Sequence, residues 1–376
     1  MNKKKLSSVL VNILLLILVT GVCFAVGEIA VRIWKSNDLA PGLWPEENAK
    51  FIPELRKNLY PNITNITRST NEFTYHVSTN AQGFRDFHPL AKKNGTKRIV
   101  IVGASTLFGN TVEINQTYSA LLGENLEVET IDLGLGANGF PEIDFILKEY
   151  GMQYQPDLIL IEAELGTFYA TYDYSRRAET PPKKSLFIWT YEHSKLINCV
   201  YWKIKTTPLG YKIINTLGIN EKAQDGNAFD LALLQHQQDA AVNTSITDSY
   251  QYLKEIKNIA NQKHIPIAVI FIPTSYQLNP EKQEAIREQY HLSAENFDPE
   301  VAENMIHALT KKLQIPLFDP TPSLQKAKNA QSLNWPLDGH FTIEGHQLYA
   351  QLLAKYITEK KLLNKYQENT GSAAQP

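Results

Sequence analysis

Apolar residues form short continuous runs in the middle of the chain, separated by longer stretches in which they recur at helical spacing. The runs fall at 99–102, 158–161, 267–272 and 317–318, and a further strand is expected at 128–133. Continuous β-branched runs, without polar alternation, are typical of parallel strands covered on both faces. Helices are expected at 116–125, 141–152, 248–262, 298–313 and 342–360. The pattern predicts an α/β fold: a three-layer α/β/α domain with a mainly parallel five-stranded sheet.

The N-terminus carries a different pattern, an uncharged apolar run over residues 9–27 behind three lysines. A spanning helix needs about 20 such residues. Lysines hold the preceding tip, residues 1–8, in the cytoplasm. The run predicts a transmembrane signal anchor in the inner membrane, single-pass, with the bulk of the chain on the extracytoplasmic (periplasmic) side. The alternative is a cleaved signal peptide, since 25–27 reads Ala-Val-Gly, a small-x-small site.

The remainder divides by composition. Residues 28–72 contain four prolines among polar residues and are predicted to be a spacer. The main domain is expected over 73–364, beginning with a short strand at 73–77. An aromatic-rich insert, 168–247, is either a lid or substrate platform, or a helical cap with its own small core. The polar tail, 365–376, is expected to be disordered.

Overall composition excludes several classes of protein. The chain has 376 residues and a formal net charge of −2, without the basic excess of a nucleic-acid-binding protein. Its two cysteines exclude a disulfide-rich scaffold and a cysteine zinc cluster. No cofactor is predicted.

A glycine-rich motif lies directly after the second predicted strand. The stretch 134–139 reads Gly-Leu-Gly-Ala-Asn-Gly and matches the G-x-G-x-x-G pattern of dinucleotide-binding turns. Glu162 or Glu164, at the end of the next strand, stands where such a site has its acidic residue. The extracytoplasmic location argues against a nicotinamide cofactor. The simpler interpretation is a tight turn from strand to helix.

Candidate catalytic residues lie at the two ends of the predicted domain. Ser105 follows the first strand, at the sheet edge where α/β folds bind ligands. Alone, it is more typical of a helix cap. Asp338 and His340 precede the last helix and supply the carboxylate and the base that a serine nucleophile requires. Alternatively, His340 and His346 with Asp338 form a weak set of metal ligands; no metal site is predicted.

These blocks resemble the SGNH, or GDSL-type, hydrolases over about residues 73–362, and in particular the membrane-anchored bacterial members related to esterases and polysaccharide O-acetyltransferases. The matching blocks are 80–86, 98–109, 132–139, 156–160 and 338–346. The resemblance implies that Ser105 is the nucleophile, His340 the base and Asp338 the acid.

The sequence departs from the family pattern around the implied oxyanion hole. Ala104 replaces the aspartate of G-D-S, Ala137 stands at the glycine of the second block, and no asparagine occurs near 166–167. The resemblance then leaves the backbone amide of Ser105, with Ala137, Gly139 or Thr167 as the remaining contributors. Loss of one side-chain donor typically costs about 10²–10³ in turnover.

Taken together, the sequence predicts a serine acyl-ester hydrolase or O-acetyltransferase. The partners implied are an acylated small molecule or a polysaccharide, and the membrane through the N-terminal helix. No nucleic acid is expected, and protein partners are not specified. The alternative is a catalytically weak or inactive binding or scaffold protein with the same fold, which the missing asparagine favours and the intact Ser105, Asp338 and His340 oppose.

Overall fold

The computed structural model describes most of the chain. The described residues are 3–34, 44–92, 94–174, 190, 193–205, 207, 209–210, 213, 233–235, 240–289 and 291–363. The strands are β1 (Lys50–Ile52), β2 (Lys57–Leu59), β3 (Ile66–Ser69), β4 (Thr74–Val77), β5 (Arg98–Gly103), β6 (Glu129–Gly134), β7 (Leu158–Ala163), β8 (Ile267–Phe271) and β9 (Leu317–Phe318). The helices are α1 (Lys3–Trp34), α2 (Ser105–Phe108), α3 (Tyr118–Leu126), α4 (Phe140–Glu149), α5 (Leu165–Tyr174), α6 (Lys195–Lys205), α7 (Ala240–Gln262), α8 (Ser275–Leu278), α9 (Pro280–Gln289), α10 (Val301–Leu313), α11 (Thr321–Gln325) and α12 (Ile343–Glu359).

The predicted central sheet is confirmed. Five strands pair in the order β6-β5-β7-β8-β9, and every pairing is parallel. All residues of β5 and β7 are buried, as expected of central strands covered on both faces. The carboxyl ends of β5, β6 and β7 therefore meet at one edge, where the loops that carry the candidate site begin.

Helices cover both faces of this sheet. Successive side chains of a strand point to opposite faces, so Val100 and Val102 pack in one core with residues of α4, α7 and α10. Ile99 and Ile101 pack in the other with residues of α3 and α12. The three-layer α/β/α arrangement follows from this alternation.

The segment expected to be a spacer is partly folded into the domain. Residues 50–59 form the antiparallel pair β1–β2, and Leu55 and Leu59 are buried in the main core. β3 pairs with β4, the strand expected at 73–77. The spacer prediction is therefore wrong for residues 50–69, because widely spaced apolar residues among prolines bury as effectively as a longer run.

The first helix is longer than the predicted anchor. α1 continues to Trp34, and residues 11–34 are long and apolar enough to cross a membrane. Its apolar side chains pack against little of the protein: Leu16 is 67% and Leu18 63% exposed. Of the aromatic-rich insert, 168–174 belongs to α5 and 195–205 forms α6, whereas Phe187, Trp189 and Tyr191 lie outside the described residues. The predicted tail, 365–376, also lies outside them.

Candidate active site

Ser105 is the first residue of α2, directly after β5 and Ala104. Two glycines allow this short helix to sit tightly on the sheet. A Cβ at Gly103 would lie 2.5 Å from Cβ of Glu162, and one at Gly134 would lie 2.4 Å from the backbone nitrogen of Phe108. Only residues without a side chain fit at these positions. The local sequence therefore places the serine at the carboxyl edge of the central strand.

Ser105, His340 and Asp338 form a continuous hydrogen-bonded row. The distance from His340 Nε2 to Ser105 Oγ is 2.7 Å, and that from His340 Nδ1 to Asp338 Oδ1 is 2.5 Å. With the Nδ1 proton donated to Asp338, Nε2 accepts the hydroxyl proton of the serine. The geometry brings the three predicted residues together, although Ser105 and His340 are 235 positions apart. The hydroxyl faces the imidazole, so the helix-cap alternative does not describe Ser105.

The site is partly accessible to solvent and electrostatically suited to a base. The side chains of His340 and Asp338 are 25% and 22% exposed. Burial alone would lower the pKa of His340, but the hydrogen bond and negative charge of Asp338 outweigh it. The carboxylates of Glu164 and Glu162 act in the same direction, so the pKa of His340 lies above its ordinary value. The protonated form of the His340 ring is thereby stabilised.

Ester turnover is expected to fall as the pH is lowered, with an apparent pKa above 6.5, the ordinary value for histidine. Only neutral His340 accepts the serine proton, and the raised pKa moves its protonation to higher pH. The measurement is kcat/KM for an aryl acetate as a function of pH. An acidic limb centred at or below 6.5 would show that the imidazole does not feel these carboxylates.

The side chain of Glu162 holds the backbone next to Ser105. Its buried carboxylate accepts hydrogen bonds from the amide of Ala104, at 2.8 Å, and from the Tyr118 hydroxyl, at 2.6 Å. Burial is the main reason that the pKa of Glu162 rises to about 8, and the nearby charge of Glu164 adds to it. These contacts fix the backbone immediately before the nucleophile. The sequence singled out Glu162 only as a dinucleotide ligand, and its place at the end of β7 was the signal for this role.

Glu72 supports the acid from the other side. Its carboxylate accepts hydrogen bonds from the amides of Leu337 and Asp338, each at 2.9 Å. Sequence reasoning missed this residue, because Glu72 stands in the segment interpreted as a spacer. It lies in the turn between β3 and β4, more than 260 positions from its partners. The turn therefore holds the loop that carries Asp338.

Replacing Glu72 by alanine is expected to lower kcat roughly tenfold with little change in KM. A hydrogen bond to a charged group contributes about 1.5–3 kcal/mol, and its loss lets the Asp338 loop shift relative to His340. The measurement is steady-state kinetics beside Glu124→Ala, a control at an exposed glutamate of α3. Equal kcat in Glu72→Ala and wild type would remove this residue from the support of the acid.

Arg85 organises the loop that follows Ser105 and α2. Its buried guanidinium donates to the carbonyls of Gly109 at 2.8 Å, Val112 at 2.9 Å and His76 at 2.7 Å. The residue belongs to the block 80–86 that matched the family pattern. The guanidinium also donates to the carbonyl of Phe108 at 3.2 Å. One cation therefore holds four carbonyls, and these contacts fix the chain after α2.

The predicted oxyanion hole is only partly supported. The Ser105 amide makes no hydrogen bond with any other described residue, and Ala137 is exposed on the neighbouring turn with a φ of 54°. These two stay predictions. Gly139 does not fit, because its amide donates to Glu142 at 3.0 Å. Thr167 is buried, and its hydroxyl accepts a hydrogen bond from the amide of Glu164. Accepting this bond does not use the hydroxyl proton, so the role of Thr167 also stays a prediction.

The glycine motif serves packing. Gly134 makes room for α2, and a Cβ at Gly139 would lie 2.4 Å from the backbone nitrogen of Thr171 in α5. The first amide of α4, that of Phe140, donates to the Thr171 hydroxyl at 2.9 Å. The start of this helix is therefore closed by the protein itself. The interpretation as a tight turn accounts for Gly134 and Gly139 without a dinucleotide.

The contacts of His346 indicate a structural role. It is buried at the start of α12, and its Nδ1 accepts a hydrogen bond from the amide of Tyr118 at 3.1 Å. Burial is the main reason that its pKa falls to about 3, so the ring is neutral. With His340 bonded to both Ser105 and Asp338, the alternative of a metal held by the two histidines has no support in these contacts.

Comparison with known proteins gives fold-level likenesses. No family model matches the sequence. No curated protein matches it either. A lipase/acylhydrolase from Enterococcus faecalis is similar in structure, with 11% identity, a TM-score of 0.40, and coverage of 70% of this chain and 97% of that one. An acetyl xylan esterase, AlAXEase, has 10% identity and a TM-score of 0.37, with coverage of 69% of this chain and 99% of that one. An acetylxylan esterase from Geobacillus stearothermophilus has 11% identity and a TM-score of 0.38, with coverage of 71% of this chain and 96% of that one. At this level of similarity, the case for a function rests on the contacts of Ser105, His340 and Asp338.

Proposed function

We propose that this chain is a serine acyl-ester hydrolase or O-acetyltransferase that acts through Ser105, His340 and Asp338. The observation that carries the proposal is the row of hydrogen bonds from Ser105 Oγ through His340 to Asp338, at 2.7 and 2.5 Å. This is the arrangement that activates a serine hydroxyl, and it is recognised by geometry and not by chain order.

The chemistry follows from the row. His340 Nε2 takes the proton of Ser105 while Oγ attacks the ester carbonyl, and Asp338 stabilises the resulting imidazolium. The amide of Ser105, together with that of Ala137, is the proposed donor to the oxyanion of the tetrahedral intermediate. Collapse expels the alcohol, which leaves with the proton from His340, and an acyl-enzyme remains on Ser105.

The acceptor decides between the two activities. Water, activated by His340, releases the acid and makes the protein an esterase. A sugar hydroxyl in the same position takes the acyl group and makes it an O-acetyltransferase. We propose an acylated small molecule or polysaccharide as the substrate, and no cofactor takes part in these steps.

We further propose that α1 is a membrane anchor. Three lysines precede the apolar run of this helix, and the side chains of the run are exposed to the surroundings of the protein. By the distribution of positive charge, the site then lies on the periplasmic side of the inner membrane.

The proposed activity is tested with the purified full chain and 4-nitrophenyl acetate in a stopped-flow instrument. An acyl-enzyme predicts a burst of nitrophenolate close to one per chain, followed by slower turnover. Acceleration of the slow phase by a soluble oligosaccharide, with acetylation of the sugar, would favour transfer. If neither burst nor turnover is detected with any simple acyl ester, the alternative of a binding or scaffold protein is favoured.

A further inference from the structure

The short helix α6 begins on the outer end of α1. The carboxylate of Glu28 accepts hydrogen bonds from the Ser194 hydroxyl at 2.8 Å and from the amides of Lys195 and Leu196 at 3.0 and 2.9 Å. In addition, Arg32 donates to the carbonyl of His193 at 2.6 Å. A residue of the apolar helix thus caps α6 and fixes its start.

The position of Glu28 sets the depth of this contact. From Val11 to Glu28 an α-helix rises about 26 Å at 1.5 Å per residue. The hydrocarbon core of a bilayer is about 30 Å thick. With the apolar run inside the core, Glu28 lies at its outer boundary. The first turn of α6 therefore stands where the acyl chains meet the headgroups.

Apolar side chains are exposed on α6 and on the helical residues that follow it, beside the exposed Lys203. Val200 and Ile204, four residues apart on one helix face, are 47% and 44% exposed. Leu209 and Ile213 repeat this spacing and are 70% and 45% exposed. We call these four residues the apolar stripe. A patch of this kind next to a membrane helix is typical of an element that lies in the interface.

The charge and aromatic content of α6 fit the same surroundings. Its sequence holds three lysines and no acidic residue, and a purely cationic helix is attracted to anionic headgroups. Tyr201 and Trp202, half-buried within it, belong to the residue types that gather at membrane interfaces.

We propose that α6 is an interfacial helix whose apolar stripe lies in the outer surface of the membrane that α1 spans. This proposal rests on the proposed anchoring by α1 and adds a second contact with the same bilayer. The apolar stripe is thus covered by lipid acyl chains, at the depth where they meet the headgroups.

This contact would orient the active site. At the far end of α6, the carbonyl and the ammonium of Lys203 bind the side-chain amide of Asn71, at 3.4 and 3.1 Å. The next residue, Glu72, holds the loop of Asp338. A helix bound to the membrane therefore ends at the turn that supports the catalytic acid, and we expect the site to take acyl donors or acceptors presented close to the membrane surface.

The test uses the full chain in vesicles of phosphatidylethanolamine and phosphatidylglycerol. Cys23 and Cys199, the two native cysteines, are replaced by serine, and single cysteines labelled with nitrobenzoxadiazole are placed at Val200 or Ile204. A cysteine at Lys355, an exposed position of α12 with 71% of its side chain accessible, is the aqueous control. A cysteine at Leu15 reports on α1. Lipids carrying a spin-label quencher at headgroup or acyl-chain depth are then added.

The proposal predicts quenching at Val200 and Ile204 by headgroup-depth lipids, quenching at Leu15 by acyl-chain lipids, and none at Lys355. Quenching at Leu15 alone would overturn the interfacial helix and leave the anchor in place. A blue-shifted probe at Ile204 that no lipid quenches would also overturn it, because a protein surface then covers the stripe. No quenching at Leu15 would reject the anchor itself.

Discussion

Replacing Ser105 by alanine is expected to abolish ester turnover and the burst of alcohol release. The variant lacks the only oxygen that forms the acyl-enzyme in the proposed mechanism. In a serine protease, loss of the nucleophile lowers kcat by about 10⁶. The sequence has no asparagine near 166–167 where the family pattern places an oxyanion donor, so we expect a lower starting rate than in a protease. A drop of about 10³ or more, to the level of background hydrolysis, is the expected result with 4-nitrophenyl acetate.

The control for this variant is Ser323→Ala, at an exposed serine of α11, which should leave turnover unchanged. Thermal unfolding of both variants shows whether the fold is retained, and Ser105→Ala is expected to keep it because alanine fits at the start of α2. Turnover retained in Ser105→Ala would mean that the ester is cleaved without this serine.

Replacing Asp338 by asparagine is the second change with a large expected effect. Asp338 accepts the Nδ1 proton of His340 at 2.5 Å, and an amide in its place favours the opposite tautomer. The equivalent change in a serine protease lowers kcat by about 10⁴, and a loss of up to about this size is expected here. The imidazole also loses the partner that raises its pKa.

The measurement for Asp338→Asn is kcat as a function of pH. Turnover should fall throughout, and the acidic limb should move to lower pH than in the wild type. Unchanged turnover would remove Asp338 from the mechanism. A loss without any shift of the acidic limb would indicate that Asp338 orients the loop but does not act on the protonation of His340.

The central sheet was predictable because strands that are buried on both faces consist of continuous apolar residues, which are visible in the sequence. The continuous apolar runs of β5 and β7 are compatible with few other structures. Ser105, Asp338 and His340 stand next to predicted elements. Their mutual contact also followed from the chemistry, since a serine nucleophile requires a base and an acid.

The supports of the site were not predictable in the same way. Glu72 and Asp338 are 266 positions apart and meet only through tertiary folding. The strands β1, β2 and β3 have only three or four residues and show no pattern among prolines, whereas β4 was expected at 73–77. The role given to Gly139 does not fit the structure, because sequence spacing does not show that its amide already donates to Glu142.

The most direct test of the account is covalent labelling of the full chain with a fluorophosphonate, read by peptide mass spectrometry. The probe reacts with a serine only when a neighbouring base activates the hydroxyl. The account predicts one adduct, on the peptide that contains Ser105, absent from Ser105→Ala and formed much more slowly in Asp338→Asn. A folded wild-type protein that takes up no probe, or an adduct on another serine that persists in Ser105→Ala, would contradict it.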